Sequence, residues 1–131
     1  MHFFSFSLFL TGAAALGINC RGSGVCNFND ASLQVVHDQV GALIAGGGGD
    51  RRFNSGEQIA CSQGSQGSIC AFYQNGASGT ARDAYGQLQQ LLDHKCRACG
   101  SVPTQPGNDV SKGELTVNFV SKACCGGNCH C

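Results

Sequence analysis

Glu114-Leu115-Thr116-Val117-Asn118-Phe119-Val120 decides how the rest of the chain is read. Polar and apolar residues alternate along it until its end, the period of a half-buried β-strand. Leu115, Val117 and Phe119 therefore share the face that turns to a core. Upstream, Pro103 to Gly113 has loop composition and Cys96 to Val102 reads as a further strand. Before that, Thr80-Ala81-Arg82-Asp83 resembles a capping box with Asp in place of Glu. Ala84, Leu88, Leu91, Leu92 and Lys95 follow on one helical face, which predicts a helix over Thr80 to His94. Gln58 to Cys61 and Ile69 to Gln74 read as the two strands of a hairpin, joined by a Ser/Gln/Gly loop over Ser62 to Ser68. Leu33, Val36, Val40, Leu43 and Ile44 form another helical stripe, with Asn29 or Asp30 as its cap and Gly46 to Gly49 as its end. Leu16 to Cys20 reads as a short first strand. This order predicts one α+β domain: a small disulfide-rich sandwich, an antiparallel sheet of about five strands with two antiparallel helices on one face.

The chain has 131 residues and 10 cysteines, and its 8 basic residues balance 8 acidic ones. The cysteines are Cys20, Cys26, Cys61, Cys70, Cys96, Cys99, Cys124, Cys125, Cys129 and Cys131. An even count at this density marks a disulfide scaffold. Residues 1–15 carry an apolar run, Phe3 to Leu10, that ends in Ala13-Ala14-Ala15. This is the pattern of a secretory signal peptide cut after Ala15, leaving residues 16–131 as the mature domain in an oxidising, extracellular setting. The run is too short to span a bilayer about 30 Å thick. Charge balance argues against nucleic-acid and anionic-lipid binding. The absence of Trp and the few aromatics argue against an aromatic sugar-binding face.

Several segments together are similar to the fungal KP-four killer toxin family. Leu16 to Ser23 resembles the mature start of the family's toxin, and His94 to Ser101 its Cys-x-x-Cys segment. Gly107 to Val120 resembles its final strand. Gly56 to Cys61 and Ile69 to Phe72 resemble cellular fungal relatives. The resemblance implies a secreted toxin that inhibits competing cells, its partner a membrane protein of the target cell, in the best-known member a voltage-gated calcium channel. It also implies the pairs Cys20–Cys96 and Cys26–Cys99. Gly49-Asp50-Arg51-Arg52 resembles a basic loop of the toxin that bears a key lysine. Counting forward from the arginines places that lysine at Asn54, and counting back from Cys61 places it at Ile59. Neither is a cation.

Arg51 and Arg52, in a Gly-rich loop, are the leading target-binding candidates, with Lys112 in the loop from Pro103 to Gly113 as a third. Cys96-x-x-Cys99 could be redox-active or, with Cys20 and Cys26, bind zinc. The oxidising compartment favours structural bridges. In the tail, Cys124, Cys125, Cys129, His130 and Cys131 could hold a soft metal. The expectation is instead that these cysteines bridge each other and Cys61 or Cys70, with adjacent Cys124 and Cys125 reaching different partners. No catalytic motif surrounds His37, His94 or His130, so a non-enzymatic monomer without metal or cofactor is expected. Two functions fit: a secreted toxin or effector acting on fungal or plant cells, or a wall-associated or carbohydrate-binding protein without toxicity.

Overall fold

The computed structural model describes residues 16–28 and 30–131. The signal-peptide expectation and Asn29 lie outside the described residues. Helix α1 spans Leu33–Leu43, and its cap is Ser32, whose hydroxyl accepts from the Val35 amide, rather than Asp30. Ser32 starts the helix because the Ser62 hydroxyl, on the sheet, holds its backbone N–H at 2.9 Å, a tertiary contact that spacing alone does not reveal. The helix continues through the wider turn Ile44–Gly48, where Gly47 takes φ 97°. Helix α2 spans Ala81–Asp93, with the Thr80 hydroxyl accepting from the Asp83 amide as the capping box predicts. Lys95 lies beyond the helix, in the left-handed region at φ 72°. It therefore does not share the α2 face assigned to it.

The strands are β1 Arg52–Phe53, β2 Gln58–Gly64, β3 Gly67–Gln74, β4 Gly79–Thr80, β5 Gly100–Pro103, β6 Glu114–Val120 and β7 Cys129–His130. Five form an antiparallel sheet in the order β5-β6-β3-β2-β7, and β1 pairs with β4 in a small second ribbon. β3 is the central strand, and β6 lies between it and the edge strand β5, pairing with β3 from Ser68↔Val120 to Gln74↔Glu114 and with β5 from Gly100↔Val117 to Pro103↔Glu114. The expected first strand at Leu16 to Cys20 contracts to one bridge, Asn19↔Ser101. The fifth strand comes instead from the tail. The expected loop at Ser62 to Ser68 is mostly strand. Gly64 pairs with Gly67 across a two-residue turn, and Gly67 at φ 113° packs under the Phe119 ring. Polar residues belong there because that end of the hairpin is largely solvated.

The core lies between the sheet and both helices. Leu33, Val36 and Val40 of α1 and Ala84, Leu88 and Leu91 of α2 are fully buried with Ile59, Ile69, Tyr73, Leu115 and Val117 of the sheet. Contacts run in opposite order along the helices, Leu33 bonding Arg97 while Gly49 bonds Arg82, so the helices are antiparallel. His37, placed on the side of α1 by its spacing, is buried in this seam and stacks on Tyr85 with centroids 4.1 Å apart. On the opposite sheet face the buried Thr116 hydroxyl bonds the buried Ser101 and Glu114 and the exposed Gln74, which removes the unpaired-polar cost of burying Thr116, Ser101 and Glu114.

Five disulfides close the molecule: Cys20–Cys96, Cys26–Cys99, Cys61–Cys70, Cys124–Cys131 and Cys125–Cys129. The first two are the pairs the resemblance implies. The tail cysteines bridge only one another, correcting the expectation that they also reach Cys61 or Cys70. The register explains this, because Cys61 and Cys70 are directly opposed across β2 and β3 and meet first.

Candidate functional site

The loop from Gly46 to Gly56 leaves α1 at Gly47 and docks on the start of α2. The Arg82 amide donates to the Gly49 carbonyl at 2.9 Å, and the Ala81 amide to the Arg51 carbonyl at 3.0 Å. Gly49 lets the Arg82 guanidinium lie close over the backbone; a Cβ there would push that exposed, flexible side chain aside. Asp50 and Arg82 pair at 3.5 Å, but both are well exposed, so the pair adds little to stability. The loop is thus anchored at its backbone and by the buried Phe53, with its charged side chains exposed.

Arg51 and Arg52, both exposed, differ in their surroundings. The Arg51 guanidinium lies 4.7 Å from the centroid of the buried Phe53 ring and donates to the Cys131 carbonyl at 2.8 Å. Extended backbone alternates sides, so Arg51 shares a side with Phe53 and Arg52 projects the other way. Arg52 makes no side-chain hydrogen bond or ion pair among the described residues. Lys112 sits exposed in the short turn Val110–Lys112. That turn precedes β6 on the β5 side of the sheet, whereas Arg51 is tied to the tail beside β7 at the other edge. The three candidate cations therefore do not form one cluster.

The tail that holds Arg51 was legible in sequence only as a run of cysteines. It adds β7 to β2 through Ala60↔His130 and Cys61↔Cys129, and the Cys131 amide donates to the Ile59 carbonyl at 2.8 Å. It also gathers sulfur: Sγ atoms of Cys61, Cys124, Cys125 and Cys131 all lie within 4.8 Å of one another. Each is bonded in a disulfide, so none presents the thiolate a soft cation needs.

Residues 3–121 match the family described as Kp4. The chain belongs to the Kp4 family. It is 43% identical over 111 residues to the KP4 killer toxin of Ustilago maydis P4 virus, a match covering 82% of each chain. The Kp4 match stops at Ser121, so the tail that pins Arg51 lies beyond the matched stretch. Of the two positions counted for the key lysine that the resemblance implies, Ile59 is fully buried and Asn54 is exposed. The Asn54 amide donates to Glu57 Oε1 at 2.7 Å, which closes the loop tip.

Proposed function

We propose that this protein is a secreted killer-toxin-like inhibitor of competing fungal or plant cells, released by removal of residues 1–15. It acts as a monomer on a membrane protein of the target, a calcium channel being the leading candidate, through the loop from Gly46 to Gly56. The observation that carries the reading is the presentation of Arg51 and Arg52 on opposite sides of a backbone-anchored loop, in a chain 43% identical to a killer toxin. An arginine offers paired hydrogen bonds to a carboxylate, which suits an acidic channel mouth. The resemblance implicates a lysine near a cysteine in an exposed loop; this chain has no cation at either counted position, Asn54 or Ile59, and offers the two arginines of the loop instead. Lys112 contributes at most a second, separate contact.

The test is growth of fungal and plant cells exposed to purified oxidised protein, with and without excess calcium. Inhibition relieved by calcium and abolished in Arg51→Ala/Arg52→Ala supports the reading. Full potency of the double variant moves the contact surface elsewhere, toward Lys112. Intact mass of secreted material beginning at Leu16 checks the leader, and a product retaining Met1 refutes it.

A further inference from the structure

We infer that the groove between α2 and the chain segments at residues 76–78 and 104–105 binds a neutral oligosaccharide. The groove encloses about 630 Å³, inside the roughly 300–1,000 Å³ usual for small-molecule sites. Its lining is made of hydrogen-bonding side chains: the amides of Gln87, Gln90 and Gln105 and the hydroxyls of Ser78 and Thr104. Three amides offer both donors and acceptors, and a sugar hydroxyl can answer either.

Charge narrows the ligand class. Arg82 and Asp83 both line the groove and offset one another. An anionic ligand meets the Asp83 carboxylate, a cationic one meets the Arg82 guanidinium, and an apolar one strands the amides without partners. The Tyr73 ring lies beneath, but its hydroxyl already donates to the Thr80 carbonyl at 2.8 Å. Recognition is therefore by amide and hydroxyl groups, without the aromatic platform that the composition argues against.

A second observation points to a missing partner. Gln87 Oε1 and Thr104 Oγ1 are both withdrawn from solvent and have no hydrogen-bond partner. Buried polar atoms are ordinarily satisfied, and each of these belongs to a side chain on the groove wall. Both oxygens lie behind the groove surface, Thr104 Oγ1 against Gly113, so binding is coupled to rotation of these side chains toward a sugar hydroxyl. The groove also adjoins the toxin-like loop. Asp50, next to Arg51, pairs with the groove residue Arg82, and Thr104 donates its amide to the carbonyl of Gly113, next to Lys112. A cell-wall glycan held here would bring both cationic segments to the cell surface.

The experiment titrates the full, oxidised, isotopically labelled protein with laminarihexaose, chitohexaose and mannohexaose, read by NMR. The expected result is saturable shifts of the Gln87, Gln90 and Gln105 side-chain amides with one of the three, which also identifies the wall polymer. Gln87→Leu/Thr104→Val should weaken that binding about tenfold or more, the loss of one or two hydrogen bonds. It should not lower Tm, because both unpaired oxygens are removed. Should it fail to fold, the solvent-exposed pair Gln90→Ala/Gln105→Ala gives the same reading. Arg51→Ala/Arg52→Ala should bind the glycan as wild type does, which separates this site from the toxin-like loop. No saturable shift with any of the three sugars, or undiminished binding in both groove variants, overturns the inference.

Discussion

At Arg51 the guanidinium is engaged twice, by the Cys131 carbonyl and by the Phe53 ring, while Arg52 is free to meet a partner. The two should therefore separate in single substitutions. Arg52→Ala should leave thermal stability within about 0.5 kcal/mol of wild type, as for an ordinary surface site. Arg51→Ala should cost about 1–2 kcal/mol, from a cation–π contact and a charge-assisted bond, and should shift the Cys131 amide signal. Equal stability of both variants by urea denaturation would show the tether to be idle. Asn54 offers the converse test: Asn54→Lys restores a cation at the exposed one of the two counted positions, and inhibition should strengthen, with no change in potency counting against the loop. The sequence displayed the adjacent arginines but not their opposed environments. Arg51 acquires its role from residue 131, 80 positions away, and no local spacing encodes that.

Among the elements, those governed by local chemistry were legible: α2 with its Thr80 cap, the apolar stripe of α1, and β6 from its alternation. The ones that escaped depend on partners distant in sequence. β7 is two residues whose pairing with β2 has no hydrophobic signal, and β1 exists only because β4 lies beside it. Two short turns respond to acid. The Asp30 carboxylate accepts from the Ser65 amide at 2.6 Å, and Asp109 accepts from the Ser111 hydroxyl at 2.7 Å and then its amide at 3.0 Å, bonds that hold both carboxyls below their ordinary value of 3.8. A depressed folded value stabilises above the unfolded value, and that contribution is lost as pH falls through the lowered one. The Ser65 and Ser111 amide shifts should thus titrate below pH 3.8, and a midpoint at or above it would contradict the clamps. Gly100 in β5 is a packing requirement, because a Cβ there would sit 2.5 Å from the Asn19 carbonyl oxygen and 2.9 Å from Leu91. Gly100→Ala should cost about 1–3 kcal/mol by overpacking, read as a lower denaturation midpoint.

For the molecule as a whole, the disulfides do not contribute alike. Cys20–Cys96 closes a separation of 76 residues and Cys26–Cys99 one of 73, against 9 for Cys61–Cys70. Loop-closure entropy assigns about 4 kcal/mol to a loop of the longer kind and about 2.5 kcal/mol to the hairpin bridge. The two long loops nearly coincide, however, so either bridge alone retains most of the constraint. Removing one should cost much less than about 4 kcal/mol, and removing both should cost more than the sum of the two single losses. Additive losses in a double-mutant cycle of Cys20→Ala/Cys96→Ala with Cys26→Ala/Cys99→Ala would refute the shared constraint. The position of β6 between β3 and β5 also dictates an order of events during biosynthesis. At roughly 5–20 residues per second, translation from Gln74 to Val120 takes several seconds. Throughout that interval β3 has one unpaired edge, and Cys20 and Cys26 wait for partners near residue 100. The β2–β3 hairpin can close in microseconds, so Cys61 and Cys70 are together long before. The nascent chain is therefore stapled first at its hairpin, and the two long-range bridges that constrain the finished fold most close only after their partners have emerged.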